Sequence, residues 1–528
     1  MLKATRPAAP AMTPGETFSD RLLAAASRHP GGTALIEADV RLTHGDVLDR
    51  ALRVAAGLRA IGVGPGDRVV TQLPNWWEAV VASWAVFLAG GVLVPIVPIY
   101  RSRESRFVLG QVDARAVITP SRYRGHDHAN TMLEALADLG SNAPVVSVRG
   151  PADDRLRFED LMACPAQESL PRPALADDIA VVLYTSGTTA DPKGVLHSHR
   201  TLLAEIRDIA AHCRLQCEEL RVFMASPLSH ITGLCYGILL PVDLGGSTVL
   251  QDRWDADEAV GIIERAACTF TVSATPFLAG LAARYAARGQ QSNLHTFVCG
   301  GADIPADLVL RAHRVLGTTV LRTYGSTELP TSTMADPDAD PDVQAANEGL
   351  PTRGNEIEIR PDWSGADELV VRGPELFLGY LDPALNERAF DPDGFFRTGD
   401  LASIGADGRL AITGRIKDII NRGGEKFSAA EVEAVLSHLP GVRDVAVVGC
   451  PDPLLVERAC ACLVVEGDAP TIEQLRAAVV AAGLAIQKAP EQLLVLDELP
   501  RTASGKIQRF LLRDRATAAV LGSGVGGP

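Results

Sequence analysis

Ten residues concentrate the chemistry of this chain. Thr185-Ser-Gly-Thr-Thr-Ala-Asp-Pro-Lys193-Gly194 carries four hydroxyls, two glycines and a lysine. Ahead of it, Ile179-Ala-Val-Val-Leu-Tyr is apolar and rich in β-branched residues, so the polar stretch sits at the end of a strand. Backbone N–H groups and hydroxyls in such a loop can wrap anionic oxygens, and Lys193 adds a compact, rotatable positive charge. Phosphate is the ligand that suits this set. An ordinary surface turn draws on the same residue types, but it has no use for four hydroxyls ending in Pro-Lys-Gly. The Walker spacing GxxxxGK[ST] is absent, because Lys193 follows Pro192 and precedes Gly194.

Other residues carry weaker signals of the same kind. Gly300-Gly301-Ala302 ends an expected strand at 296–299, and Tyr324-Gly325-Ser326-Thr327-Glu328 follows another at 320–323. Glycines at a strand end admit a flat ligand, and a tyrosine beside them can stack on it. Glu328, next to two hydroxyls, offers oxygen ligands to a hard cation. Phe396-Arg-Thr-Gly-Asp400 lies between the turns Asp393-Gly394 and Asp407-Gly408; its carboxylate could accept both hydroxyls of a ribose, and a turn-capping aspartate is the common alternative. Residues 223–240 are apolar apart from hydroxyls and His230, with no Asp or Glu, which leaves His230 as either a core group or a pocket wall. Near the C-terminus, Pro500-Arg-Thr-Ala-Ser-Gly-Lys506-Ile-Gln-Arg is a glycine-containing basic loop.

These residues need a scaffold, and 528 residues allow about two to four domains. A hydrophobic content of 47% with 22% charged residues is that of a globular protein. The net charge of −15 argues against a nucleic-acid partner and against an anionic membrane surface, so any phosphate site must be built locally. Nine scattered cysteines without a CxxC pair suggest reduced thiols rather than a disulfide framework. The uncharged run 80–100 is interrupted by Gly90-Gly91, Pro95 and Pro98, which predicts a buried helix followed by a strand rather than a membrane span. The first sixteen residues lack the apolar core of a signal peptide, and a cytoplasmic location is expected. Helical spacing at 21–28, 48–61 and 77–88 alternates with strand-like runs at 68–73 and 92–96, the pattern of a parallel α/β sheet. A helix is expected at 200–213. Strands at 369–372 and 410–413 indicate a smaller β-rich piece. Beyond Gly414 a helix capped at Ser428, strands at 445–448 and 461–465, a helix at 472–482 and a strand at 492–496 form an α+β unit of roughly a hundred residues.

In this order, TSGTTADPKG, YGSTE, RTGD, GRIKDIINRGGEKFSAAEVE and PRTASGKIQR resemble the motifs of the adenylate-forming superfamily of acyl-CoA synthetases, luciferases and adenylation domains. Ala190 stands where that family usually has glycine. The resemblance implies an α/β protein with a large N-terminal AMP-binding domain at 17–416, made of two α/β layers plus a β-barrel subdomain. It also implies a small mobile α+β lid domain at 417–516, with disordered ends at 1–16 and 517–528. By the same resemblance Thr185, Ser186, Gly187, Thr188, Thr189 and Lys193 hold the ATP phosphates, and Gly300, Gly301, Ala302, Tyr324, Gly325, Asp400 and Arg415 hold adenine and ribose. Thr327, Glu328 and Lys506 are catalytic, with Thr185 and Glu328 as Mg²⁺ ligands. His230 and Gly233 line the acid pocket, Lys417 is the hinge, and Arg422, Gly423 and Gly424 meet CoA. The implied reaction joins a carboxylic acid to CoA through an acyl-adenylate, with ATP, Mg²⁺ and CoA required and a monomer or homodimer as the working form. Pro74-Asn-Trp-Trp-Glu and Arg122-Tyr-Arg-Gly-His-Asp look like the branch of medium-chain and cyclohexanecarboxylate CoA ligases. The alternatives are an enzyme that loads a separate carrier protein, a luciferase-like oxygenase, and a homologue without activity.

Overall fold

The computed structural model describes residues 15–151, 155–166, 174–185, 192–216, 220–301, 304–362, 365–423, 425–452, 454–502 and 506–523. Its chain packs as two compact units, Met1–Glu356 with Arg372–Phe396, and Ile357–Val371 with Arg397–Pro528.

Two α/β sheets build the first unit, as the βα alternation predicts. The strands Thr319–Tyr324, Thr296–Cys299, Phe270–Ser273, Arg221–Met224, Ser247–Leu250 and Thr33–Glu37 run in parallel through the larger sheet, and antiparallel strands finish both of its edges. The second sheet runs in the order Gly379–Tyr380, Lys193–Ser198, Ile179–Thr185, Val92–Pro95, Arg68–Thr71, Ala116–Pro120 and Val145–Val148. Helix Trp77–Leu88 is buried at every residue after Trp77 and shares one apolar core with strands of both sheets. Its sequence is apolar nearly all round, which is what burial on every side demands. The run 80–100 is therefore a helix and the strand Val92–Pro95, and no described helix is long and apolar enough to cross a membrane.

Local chemistry marks the helix starts. Thr17 and Thr43 each cap a helix and are capped in return by Asp20 and Asp46, and Ser198 does the same with Thr201 ahead of helix His199–His212. Residues 223–240 hold a strand, a short helical turn and a π-helical turn, Leu234–Leu239. π-Turns of this kind occur frequently at functional sites.

In the second unit, the β-rich piece is a four-stranded sheet of Glu356–Pro361, Asp367–Arg372, Phe396–Ile404 and Leu410–Arg415; among the described residues no pairing closes it into the expected barrel. The RTGD residues lie within a strand, not in a turn, because Asp400 pairs with Arg415 on the neighbouring strand. A further sheet carries the long hairpin Val442–Asp452 and Val456–Val465. Ser428 begins helix Ala429–Leu436, but its hydroxyl donates to the Thr413 carbonyl rather than capping that helix. The expected disordered tail is shortened as well. Helix Arg509–Ser523 runs into it, since Leu512 and Ala516 bury against the hairpin. Residues 1–14 and 524–528 lie outside the described residues. All eight described cysteines are free thiols.

Burial pushes three histidines of the first unit, His128, His197 and His199, down to about 4 from an ordinary 6.5. Each is neutral when folded and takes up a proton on unfolding, so stability is complete above pH 6.5 and is lost as pH falls toward 4. Thermal melts between pH 7 and pH 4 should show this decline, and His197→Gln should flatten part of it.

Candidate functional site

The phosphate-loop residue Thr185 ends one strand and Lys193 begins the next, and the two are register partners in an antiparallel pair. Strand Lys193–Ser198 was not anticipated between the loop and its helix. Ser186, Gly187, Thr188 and Thr189 lie outside the described residues, as does Ala302. Lys193 Nζ stands 5.2 Å from the centre of the Tyr380 ring. The same tyrosine donates its hydroxyl to Glu328 Oε1 at 2.7 Å. Lys193 and Glu328, 135 positions apart in sequence (328 − 193), thus meet on the two ends of one side chain. Burial and the Glu328 carboxylate both push the Tyr380 phenol well above its ordinary value, so it remains a donor.

The backbone of the Tyr324–Glu328 motif is held from several sides. Gly325 has no alternative, since a Cβ there would lie 1.8 Å from the Pro330 carbonyl oxygen. Ser332 N–H donates to the Tyr324 carbonyl at 2.8 Å, and Phe377 N–H to the Glu328 carbonyl at 2.8 Å. His197 Nε2 lies 2.7 Å from the Thr327 carbonyl, and Nδ1 lies 3.0 Å from the Thr201 hydroxyl. A carbonyl only accepts, so Nε2 carries the proton and Nδ1 accepts from Thr201; burial keeps the ring neutral in this tautomer. One oxygen of Glu328 is engaged by Tyr380, and a half-buried carboxylate is an oxygen ligand that fits Mg²⁺.

Gly300 and Tyr324 lie at the carboxyl ends of adjacent parallel strands, where ligands of open α/β sheets bind. A Cβ on Gly300 would come within 2.6 Å of Thr323 Cγ2, and Gly301 has φ +80°, so both positions need glycine. His230 starts the turn Ile231–Gly233 and accepts from Thr232 N–H at 3.4 Å through Nδ1. Gly233 is packed backbone to backbone, 2.1 Å from the Pro227 oxygen if it bore a Cβ. Asn75, from the Pro-Asn-Trp-Trp stretch, fastens this region by donating to the Ser226 and Gln251 carbonyls and accepting from Leu228 N–H.

The second unit holds the remaining candidates. Arg415 Nε pairs with Asp400 Oδ1 at 2.7 Å. Lys417 sits in the short turn Ile416–Asp418, where burial and the repulsion of Arg415 and Lys506 bring its ammonium down to about 8. Lys506 N–H donates to the Thr502 hydroxyl at 3.1 Å, and its carbonyl accepts from Thr502 N–H at 2.8 Å. Arg422 ends a hairpin strand and is paired with Glu491 at 2.7 Å, and Gly423, at φ +62°, donates to the Leu455 carbonyl at 2.6 Å. Gly424 lies outside the described residues.

Tyr380 and His197 escaped sequence reasoning because their roles come from partners far away in the chain. The Gly379-Tyr380 pair after an apolar run is the only local trace of the first, and nothing local marks the second.

Comparison with known proteins places this geometry. The model of the AMP-binding enzyme family matches residues 22–381, and that of the AMP-binding enzyme C-terminal domain matches 431–506. A medium-chain fatty-acid–CoA ligase of Escherichia coli (strain K12) is 34% identical over 88% of this chain and 84% of its own length. A salicylyl-CoA synthase / salicylate adenylyltransferase of a Streptomyces species is 34% identical over 91% and 90%. The ATP-bound MatB of Rhodopseudomonas palustris has a TM-score of 0.84 at 26% identity, covering 95% of this chain and 99% of that one.

Tyr380→Phe keeps the ring under Lys193 and removes the hydroxyl from Glu328. Loss of a hydrogen bond to a charged group should weaken MgATP binding by roughly tenfold or more, read by calorimetric titration, with little change in Lys193-dependent affinity for ATP without metal. The motifs, the two-unit α/β architecture and matches spanning most of the chain lead to one conclusion: the chain belongs to the AMP-binding enzyme family, the adenylate-forming superfamily, and is an adenylate-forming acid ligase.

Proposed function

We propose that this enzyme is an ATP-dependent acid–CoA ligase acting on a carboxylic acid without an α-amino group, of medium-chain, alicyclic or similar structure. The observation that carries the acid class is the wall at residues 223–240, which has no Asp or Glu to pair with an α-ammonium. Burying that cation unpaired would be costly. The acid that this wall does meet, Glu205, is fully buried and occupied by Tyr236 and Thr331. The names of relatives, one a medium-chain fatty-acid–CoA ligase and one a salicylyl-CoA synthase, agree with such an acid.

In the first half-reaction a carboxylate oxygen attacks the α-phosphorus of ATP, the bond from that phosphorus to the bridging oxygen breaks, and pyrophosphate leaves. Anion meets anion, so positive charge and exact placement are what the site must supply. Lys193 and the Thr185 end of the loop bind the outer phosphates, while Gly300, Gly301 and Tyr324 take adenine and Asp400 with Arg415 takes ribose. Thr185 and Glu328 would hold Mg²⁺, which would neutralise phosphate charge, and Thr327 would contact the α-phosphate. Lys506 bridges carboxylate and α-phosphate. In the second half-reaction the thiolate of CoA attacks the acyl carbon and AMP departs with the bonding electrons. Lys506 must withdraw for the thiol to enter, and we assign the pivot to Lys417, at the boundary between residues 17–416 and the lid at 417–516. Delivery to the thiol of a separate carrier protein is the second reading, favoured by the relative that is named both CoA synthase and adenylyltransferase.

Incubation with ATP, Mg²⁺ and pooled straight-chain, alicyclic and aryl acids, with and without CoA, followed by mass spectrometry, should yield acyl-CoA and AMP. Acyl-adenylate that persists in the presence of CoA would replace CoA by a carrier protein. Lys506→Ala should abolish adenylate formation and spare thioester formation from a supplied acyl-adenylate; equal loss of both steps would refute its assigned role. Lys417→Pro should leave pyrophosphate release intact and slow acylation of CoA, measured in single turnovers.

A further inference from the structure

Behind the Thr327–Glu328 loop lies a pair of carboxyl groups that the reaction does not use. Glu205, on helix His199–His212, and Glu375, just before the strand Gly379–Tyr380, are both 0% exposed and are linked through Thr331, whose hydroxyl donates to Glu205 and whose carbonyl accepts from Asn355, the donor to Glu375. Glu205 Oε1 accepts from the Tyr236 hydroxyl at 2.5 Å and from Thr331 at 2.9 Å. Glu375 Oε2 accepts from Asn355 Nδ2 at 3.1 Å. The other two oxygens, Glu205 Oε2 and Glu375 Oε1, meet no N–H or O–H donor among the described residues. Two buried carboxylates that feel each other's charge cannot both stay ionised, and a direct bond between them requires a proton. Among the described residues no group of three His, Cys, Asp or Glu side chains makes a metal site there instead.

We propose that Glu375 carries that proton and donates it to Glu205, and that this acid–carboxylate pair is a positioning element for Thr327 and Glu328. Glu205 has the two donors that stabilise a charge, so Glu375 is the neutral partner. The pair joins three segments that hold the loop. The helix of Glu205 follows His197, which grips the Thr327 carbonyl. Thr331 ends the loop itself. The segment of Glu375 continues into Phe377 and Tyr380, which bind the Glu328 carbonyl and carboxylate. The titratable groups facing the pair are Asp208 from the helix of Glu205 and Cys213 just after it, and Tyr236 and Cys235 from the turn Leu234–Leu239; His212 and Arg353 face Asp208. Burial and the Glu205 charge push the Glu375 carboxyl well above the carboxylate range. Its contribution to stability is therefore complete at low pH and is lost as pH rises through that value.

The role assigned to the loop rests on the function proposed above; the proton does not. Infrared spectra of the full-length protein at pH 7 in H₂O and D₂O should contain a protonated-carboxyl band that Glu375→Gln removes; a band unchanged in that variant overturns the assignment. The glutamine amide replaces the donated proton, so this variant should keep acid-dependent ATP–pyrophosphate exchange within about threefold of the wild type. Glu375→Leu leaves the Glu205 charge without its donor and should lower kcat/KM for MgATP by roughly ten- to a hundredfold, with partial rescue by adding Glu205→Gln. Wild-type kinetics in the leucine variant would overturn the positioning role. If that variant does not fold, the alkaline limb decides: the wild type should lose kcat/KM for MgATP as pH rises and Glu375→Gln should not, and identical limbs would refute the pair. A wild type without exchange on any acid would remove the proposed function and leave the infrared band to judge the proton.

Discussion

The structure of the first unit depends on how one loop end is shared between two sheets. Glu328 leaves the larger sheet after the strand Thr319–Tyr324, yet its carboxylate and its carbonyl are both bound by residues at the edge of the smaller one, Tyr380 and Phe377. The preceding carbonyl, of Thr327, is bound by His197 of that same sheet. Supplying the Tyr380, Phe377 and His197 donors from the second sheet ties the two sheets together at this loop, beside the apolar core that helix Trp77–Leu88 shares with strands of both.

Periodicity made the larger elements legible. Helix Trp77–Leu88 and the strands Arg68–Thr71, Val92–Pro95 and Thr296–Cys299 stand where an apolar run, bounded by Gly or Pro, placed them. Strand Lys193–Ser198 was hidden because every residue after Lys193 is buried, and a strand buried on both faces does not alternate between apolar and polar residues. The tail helix Arg509–Ser523 was missed for a different reason: its burial against the hairpin Val442–Asp452 and Val456–Val465 is a tertiary effect that composition does not carry.

The site was legible as a set of residue types and silent on their partners. Lys193, Tyr324, Glu328 and Asp400 belong to short motifs whose chemistry can be read in place. Tyr380 lies 52 residues from Glu328, and His197 lies 130 from Thr327. Neither is in a motif, and each matters through one hydrogen bond. Asp400 shows the same limit from the other side. Its carboxylate was read as a group in a turn, whereas strand pairing sets it against Arg415, so the register of two strands decides what that oxygen meets.

In the first unit the Tyr380 hydroxyl donates to Glu328, Arg149 and Arg322 pair with the buried Glu78 and Glu348, and burial keeps His128, His197 and His199 neutral. The second unit crowds its cations: Arg415, Lys417 and Lys506 lie within reach of one another's fields, and Asp418 and Asp400 offset them near Lys417. In a chain of net charge −15 such a cluster can arise only by local placement. Burial, Arg415 and Lys506 disfavour the charged form of Lys417 and bring its ammonium down to about 8, while the Asp418 and Asp400 carboxylates favour it, so neighbours within this one unit decide how readily that turn holds its proton.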